Sequence, residues 1–345
     1  MAAVMVMFFH FTGHHGESKA LIQTAVIGQT GVDLFFVLSG FLITRILLVT
    51  RESPHFFKAF YARRSVRIFP LYYGFLVIHF FLLPAWFGTR VSPFSSQIWT
   101  WLYLQNIPEI FFGGFQSSGP GHFWSLAIEE QFYLVWPLMV YLLPPRRFFI
   151  LVLATLVIPP FLRFVLLNHG IGVFFFTLTR VDALGFGALL AVMLFDRSWL
   201  LRHQRLFRWL LITLGALLLP LFVLLSGSRL NWLQTVKSSL IPAFYFALIG
   251  FCVTDPSSRI LTRMFSLKWL RWLGGISYGL YVFHPICFSM VQEYAAPSSL
   301  VADLAMSFGV TIAVAYVSFR FFETPILKLK RYFHYEPAGP ATKGG

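Results

Sequence analysis

The chain of 345 residues is 57% hydrophobic and only 12% charged, and its mean hydropathy is +0.72. A soluble domain is about one quarter charged, so this composition excludes an ordinary soluble protein and indicates a membrane protein. The net charge of +14 does not indicate nucleic-acid binding, because the basic residues lie in short loops between apolar runs. Cys252 and Cys287 lie within apolar segments, so we expect neither a disulfide nor a metal site, and no signal peptide is predicted.

Apolar runs of about 20 residues recur along the chain, which is the length that an α-helix needs to cross a bilayer core of about 30 Å. We therefore predict an all-α fold, a polytopic membrane helix bundle of about ten transmembrane helices. The short opening run at 1–12 begins the first helix. The other predicted spans lie at 28–49, 70–88, 123–143, 147–167, 174–195, 207–227, 237–254, 274–292 and 300–322.

The basic residues divide the loops into two sets. One set holds 19 of the 27 lysines and arginines and the opposite loops hold four, a strong positive-inside bias. The basic set, predicted to be cytoplasmic, consists of 50–69, 144–147, 196–208, 255–273 and the tail after 325. This predicts a multi-pass protein of the cell (inner) membrane with both termini cytoplasmic. The aromatic segment 95–106 then cannot cross, and we predict a short re-entrant or interfacial helix there.

The first predicted helix carries His10, which is preceded by only nine residues. Nine residues make about 14 Å of helix, half a bilayer, so we expect this helix to lack its inner turns. On this interpretation residues 1–325 form one transmembrane domain and 326–345 a short basic cytoplasmic tail. A lone histidine near a helix end is often only structural, so His10 needs a partner before it suggests chemistry.

The second predicted helix has Asp33 near its outer end and Ser39 and Gly40 at its middle. Small residues at mid-span indicate close helix packing. They would also leave room for a slender ligand between helices.

A basic cluster follows in the next loop. Arg63 and Arg67 are one helical turn apart, with Arg64 between them, so two guanidinium groups would project together toward a phosphate or pyrophosphate. Arg45, near the inner end of the second helix, would join them. The simpler interpretation is a topogenic cluster that contacts anionic lipid headgroups.

Glu129 and Glu130 interrupt an otherwise apolar run, where carboxyls cost several kcal/mol unless they are paired or neutralised. The predicted topology places Glu129 and His10 in the same outer half of the bundle. We predict a His10–Glu129 pair, in which the carboxylate orients the imidazole so that it acts as a general base toward an alcohol. Glu130 is rotated about 100° from Glu129, so only one carboxyl faces His10. Ser125 and Tyr133, four residues to either side of Glu129, share its face as hydrogen-bond partners.

Two polar groups lie in later spans. Arg180 and Asp182 begin one span, and we expect a local charge pair. A polar stripe on the span 274–292 consists of Ser277, Tyr278, Tyr281 and His284. His284 lies near mid-bilayer, where the simplest interpretation is structural.

Seven of these pieces, in this order, resemble the acyltransferase-3 family of membrane O-acyltransferases, and they cover nearly the whole chain. They are His10, Gly31–Leu42, Arg63–Tyr72, Phe123–Tyr133, Arg180–Asp182, Ser277–Pro285 and Phe322–Pro325. The resemblance implies a ten-helix bundle that passes an acyl group, typically acetyl, from cytoplasmic acyl-CoA to a hydroxyl of an outer carbohydrate or related acceptor.

The resemblance also implies roles for individual residues. It links His10 and Glu129 to catalysis and the cluster Arg63, Arg64 and Arg67 to the acyl-CoA donor. No permanently bound cofactor is implied; the partners are membrane lipid, acyl-CoA and a glycan or other hydroxyl acceptor. The chain departs from the family in two ways. The family usually has an arginine eleven residues before the histidine, which here would fall before Met1. Some members also carry an esterase-like domain after the bundle, whereas this sequence has only a short tail there.

Several mechanisms and functions stay open at this point. The acceptor hydroxyl attacks the thioester directly, or an acetyl-histidine forms at His10 first. A proton-coupled transporter is the main alternative, because buried Glu, Arg and His residues also make proton relays; no repeated half with paired broken helices supports it. A lipid-flipping or scaffold role is a third hypothesis, and it predicts that Glu129→Gln is harmless.

Overall fold

The computed structural model describes residues 1–14, 27–111, 118–195, 204–224, 230–255 and 258–335, and this part of the chain is helical without a β-strand. Its ten helices of 13 or more residues are named α1 to α10. They are α1 (Ala2–His14), α2 (Gly31–Thr50), α3 (Phe56–Val77), α4 (Trp124–Leu142), α5 (Pro145–Asn168), α6 (Thr177–Met193), α7 (Gln204–Leu224), α8 (Asn231–Thr254), α9 (Ser277–Met290) and α10 (Leu300–Ser318). The predicted all-α fold is confirmed.

Five helical stretches among the described residues are long and apolar enough to cross a membrane, judged by length and composition. They are Ile27–Thr50, Phe56–Phe87, Pro145–Asn168, Asn231–Thr254 and Leu300–Tyr332. Helices α1, α6 and α9 have 13, 17 and 14 residues, fewer than the roughly 20 that a perpendicular crossing needs. The number of about ten crossings therefore stays a prediction.

Helix α3 begins earlier than the predicted span at 70–88. It starts at Phe56 and continues through a π-helical turn, Ile78–Leu82, to Phe87. The arginine cluster thus lies on the first half of a long helix, not in a loop, and its side chains have fixed angular positions.

Shorter helices connect the long ones. The helix Phe94–Trp101 overlaps the segment predicted at 95–106, and its eight residues extend about 12 Å, well short of a bilayer. The predicted loop 255–273 contains Arg259–Phe265 and most of Lys268–Gly275. After α10 the chain makes further helical turns to Tyr332, and residues 336–345 of the predicted tail lie outside the described residues.

Large apolar side chains cover the outer surface of the bundle. On α5, Val157, Ile158 and Phe161 are each more than half exposed. An apolar surface of this kind is unfavourable in water and suits the hydrocarbon of a bilayer.

Helices α2 and α6 approach each other at backbone distance. A Cβ atom at Gly40 would lie 2.0 Å from the carbonyl oxygen of Leu184, and one at Gly187 would lie 2.1 Å from that of Val37. Neither position has room for any side chain. The small pair at mid-span therefore serves close packing through Gly40, as predicted.

Two buried ion pairs tie α6 to its neighbours. Arg180 donates to Asp33 on α2 over 2.8 Å, and Asp182 pairs with Arg163 on α5. Arg163 also donates to Ser239 on α8 over 2.8 Å. Arg180 and Asp182 thus each form their direct salt bridge with another helix and not with each other, although they also interact electrostatically within this cluster.

The contact between Gly40 and Leu184 predicts that any side chain at position 40 destabilises the fold. Gly40→Ala should destabilise the fold by at least about 1–3 kcal/mol, because its Cβ overlaps the Leu184 carbonyl. Thermal unfolding in detergent measures the change. Gly309→Ala on α10 is the matched control, since nothing lies within 4 Å of its Cβ, and it should be neutral or stabilising. Equal effects at both sites would contradict the close α2–α6 packing.

The buried Arg180–Asp33 pair predicts that the effects of substitutions at its two residues on stability are strongly coupled. Arg180→Gln leaves the Asp33 carboxylate buried without its partner and should cost about 3–5 kcal/mol. Adding Asp33→Asn should recover most of that loss, because the remaining pair is neutral. Unfolding of the two single variants and the double variant measures the coupling. Additive losses would show that the two side chains do not stabilise each other.

Candidate active site

A cavity of about 430 Å³ lies between α1, α2, α3, α4 and α9. This volume is within the range of small-molecule sites. Its charged and hydroxyl-bearing lining residues are Ser39, Arg64, Arg67, Ser125, Glu129, Tyr133, Ser277, Tyr278 and Tyr281. The rest of the wall is mostly apolar. Seven of the predicted site residues therefore meet at one cavity: Ser39, Arg64, Arg67, Ser125, Glu129, Tyr133 and Tyr278.

Helix α4 contributes one face to this cavity. Ser125, Glu129 and Tyr133 follow one another at four-residue intervals, so they line about 12 Å of its length. Glu129 is 2% exposed and lies within hydrogen-bonding reach of the Tyr133 and Ser39 hydroxyls, which also contact each other. Among the described residues its Oε1 atom is buried without a hydrogen-bond partner. A carboxylate with one oxygen left over is suited to a further polar group in the cavity.

Arginines form one end of the cavity. Arg64 and Arg67 are three residues apart on α3 and both line the wall. The Arg64 guanidinium lies over the Tyr133 ring, 4.9 Å from its centroid, and interacts electrostatically with Glu129. Arg67 lies 3.7 Å from the carboxylate of Glu323. The arrangement places the Arg64 guanidinium near the buried Glu129 carboxyl group, with Arg67 one turn along the same helix.

The other two predicted donor-binding arginines do not line the cavity. Arg63 donates to the carbonyl oxygens of Lys330 and Phe333, over 3.3 and 3.1 Å, and so holds the segment after α10. Arg45 is exposed on α2. The structure therefore groups Arg64 with Arg67 in place of the predicted Arg63 with Arg67, because the angular position on α3 decides which side chains face inward.

Tyr281 and Ser125 form the opposite end. Their hydroxyls are 2.6 Å apart, and the Tyr281 hydroxyl donates to the carbonyl oxygen of His122. Since its single hydrogen is used there, Ser125 donates to Tyr281. The Tyr281 ring centroid is 5.3 Å from that of His122 and 5.9 Å from that of His284. Tyr281 thus connects the cavity wall to a group of histidines.

Three histidines lie beyond Tyr281. His10 Nδ1 is 2.7 Å from His284 Nε2, and the two rings stack with centroids 4.9 Å apart. The His122 ring packs on both, at 6.3 and 5.1 Å. His10 lies one helical turn beyond Val6, a residue of the cavity wall. Within the described chain no three histidine, cysteine or acidic residues are arranged to hold a metal ion.

The structure gives these histidines partners that the sequence did not predict. The sequence predicts His10 as a base paired with Glu129, whereas the structure brings His10 into contact with His284. His122 was not predicted, although a polar residue directly before an apolar helix that carries two glutamates is a usable signal. His284 is fully buried and contacts His10.

The remaining polar candidates lie around the cavity. Glu130 is not part of its lining; it lies near Arg64 and Tyr73 on the adjacent face of α4. Tyr278 lines the wall and donates to the backbone oxygen of Ile68 on α3, over 2.9 Å. Asp33, Arg180 and Asp182 belong to the ion pairs of α6 and support the cavity from outside.

Comparisons with known proteins identify a family and several relatives. The acyltransferase domain family matches residues 1–320. The chain is 31% identical over 325 residues to the peptidoglycan O-acetyltransferase OatA of Listeria monocytogenes, a region covering 87% of this chain and 51% of that protein. It is 30% identical over 327 residues to the O-acetyltransferase OatA of Staphylococcus aureus, covering 87% and 53%. No solved structure matches.

The chain thus spans about half the length of the curated relatives it matches. The helical fold, the apolar spans and these relatives indicate a membrane protein. With a family match over almost its entire length, this protein belongs to the acyltransferase-3 family.

Proposed function

We propose that the protein is a membrane O-acetyltransferase that moves an acetyl group from cytoplasmic acyl-CoA to a hydroxyl of an extracytoplasmic carbohydrate. One observation carries this proposal. A single cavity joins two arginines to a buried glutamate, and the tyrosine at its far end contacts the group of histidines that includes His10. Family membership supports the same reaction.

The arginine end is suited to the donor. The guanidinium groups of Arg64 and Arg67 bind the phosphates of CoA, since arginine pairs with phosphate through two parallel hydrogen bonds. The pantetheine arm then lies along the apolar wall of α2, past Ser39. Arg63 and Arg45 are outside this donor site, because neither lines the cavity.

The reaction occurs where the cavity meets the histidines. His10 takes the proton of the acceptor hydroxyl, the oxygen attacks the thioester carbonyl, and the CoA thiolate leaves and takes up the proton. Glu129 lies one helical turn from Ser125 and balances the positive charge that forms on His10 across the Ser125–Tyr281 hydroxyl pair. An acetyl-histidine formed by direct attack of His10 is the alternative sequence of steps.

A cell-wall glycan is the acceptor class that we infer. The Listeria monocytogenes relative is named a peptidoglycan O-acetyltransferase. Peptidoglycan fragments are therefore the first acceptors to test.

Transfer should depend on both His10 and Glu129. We expect purified protein in liposomes to move label from radiolabelled acetyl-CoA into added peptidoglycan fragments. His10→Ala and Glu129→Gln should each lower the rate about 10²-fold or more, because each removes a charge-handling group from the reaction. Label in isolated glycan measures the rate, and burst kinetics without acceptor distinguishes the acetyl-histidine route.

Matched controls use exposed residues of the same types. His169→Ala and Glu52→Gln should leave transfer unchanged. Unimpaired transfer by His10→Ala would contradict the proposed mechanism. No CoA turnover with any acceptor, together with absent CoA binding, would contradict the acyltransferase function and favour the transporter.

Substitutions of neighbouring arginines should affect donor binding to different extents. Arg64→Gln and Arg67→Gln should each weaken CoA binding about 10-fold or more, the equivalent of one lost charge-assisted hydrogen bond. Arg63→Gln should change it less than about threefold, because Arg63 bonds to the segment after α10. Isothermal titration with CoA measures the three dissociation constants. A loss at Arg63 as large as at Arg64 would place the donor outside this cavity.

A further inference from the structure

The contact between His10 and His284 requires one proton in a defined place. His10 Nδ1 and His284 Nε2 are 2.7 Å apart, a hydrogen-bonding distance. One nitrogen must therefore donate and the other accept. Which ring donates decides which nitrogen of His10 has a lone pair for chemistry.

The backbone of α9 settles the state of His284. Its Nδ1 atom is 2.9 Å from the carbonyl oxygen of Tyr281 and 3.2 Å from that of Leu280. A carbonyl oxygen only accepts hydrogen bonds, so Nδ1 of His284 carries the hydrogen. In the neutral ring, Nε2 then has no hydrogen and accepts from His10.

Pro285 explains why this carbonyl is available. In an α-helix the N–H of residue 285 would donate to the carbonyl oxygen of residue 281. Pro285 lies inside α9 and has no N–H, so the Tyr281 oxygen lacks its helical donor. The His284 side chain supplies the missing hydrogen bond, and the His-Pro pair thereby encodes the orientation of the ring.

A charged His284 is another arrangement that would satisfy these contacts. It would place an imidazolium in a side chain with no solvent exposure. Among the described residues, the aromatic rings that contact it are those of His10, His122, Tyr281 and Phe288, and none of these is an anion. Burying a charge without a partner is far costlier than keeping the ring neutral.

We propose that His284 is a positioning residue that fixes the tautomer of His10, with hydrogen on Nδ1 and the lone pair on Nε2. The stacked rings, the hydrogen bond between them and the proline-freed carbonyl of Tyr281 carry this inference. A neutral histidine otherwise takes either tautomer. His284 thus occupies the place that a carboxylate holds in a serine-protease triad.

The consequence for catalysis rests on the proposed function. In direct transfer, Nε2 of His10 takes the hydroxyl proton as the oxygen attacks the thioester, and the same proton then goes to the departing thiolate. In the two-step route, Nε2 itself attacks the thioester and the thiolate leaves. Both routes need the lone pair on Nε2, while Nδ1–H stays bonded to His284 throughout.

The tautomer can be measured without any substrate. Solid-state NMR of full-length protein with isotope-labelled histidine in bilayers separates protonated from unprotonated ring nitrogens, and loss of signals in His10→Gln assigns that ring. We expect protonated Nδ1 and unprotonated Nε2 for His10, with a nitrogen–nitrogen coupling to His284. Unprotonated Nδ1 on His10 would overturn the inference. So would the absence of coupling.

Variants of α9 test whether the His10 tautomer determines the rate of transfer. His284→Leu should mix the His10 tautomers and lower kcat about 10²–10⁴-fold with KM for acyl-CoA unchanged. His284→Gln should recover part of the rate, because its amide oxygen accepts from Nδ1. Pro285→Ala adds a backbone N–H that competes with His284 for the Tyr281 oxygen. It should therefore also mix the His10 tautomers and lower kcat.

Two controls separate this inference from a merely structural effect and from the proposed function. Cys287→Ala, one turn away and also buried on α9, should leave both tautomer and kcat unchanged. Full activity in His284→Leu, or an equal loss in Cys287→Ala, would overturn the positioning role. If the wild-type protein shows the expected tautomer but transfers no acetyl group, the proposed function is contradicted and the His10–His284 assignment still holds.

Discussion

Two ion pairs buried in an apolar bundle constrain how its helices pack. On α6, Arg180 pairs with Asp33 on α2 and Asp182 pairs with Arg163 on α5. A buried charge without its partner is strongly destabilising, so these helices tolerate little rotation. At the same interface Gly40 contacts α6 at backbone distance. Ser39, the residue before Gly40, is thereby turned away from α6 and toward the cavity.

The cavity depends on that rotation, because no single helix contains the site. Each of five helices contributes a stripe of residues spaced three or four apart, and the wall is complete only when all the stripes face inward. Arginines on α3 and Glu129 on α4 then lie along one path. The stripes of α1 and α9 continue one turn further to His10 and His284, which explains how residues 274 positions apart come into contact.

Much of the fold and part of the site were predictable from local patterns. Apolar runs of helical length predicted an all-α membrane protein, and the four-residue spacing of Ser125, Glu129 and Tyr133 predicted a shared face. Partners across helices were harder to predict. The sequence predicted a local Arg180–Asp182 pair, whereas the direct salt bridges of these residues run to Asp33 and Arg163 on other helices. His122 was not predicted, because its partners lie on α1 and α9.

The sequence by itself determined the helical class, the family and the residue types available for chemistry, since hydrophobic periodicity and motif order are written along the chain. Only the tertiary structure decided that Arg64 faces the cavity while Arg63 holds the segment after α10, and that His10 meets His284. These contacts depend on the rotation and depth of helices far apart in sequence. Packing at the glycine contact and the buried ion pairs sets that rotation, and no local pattern records it.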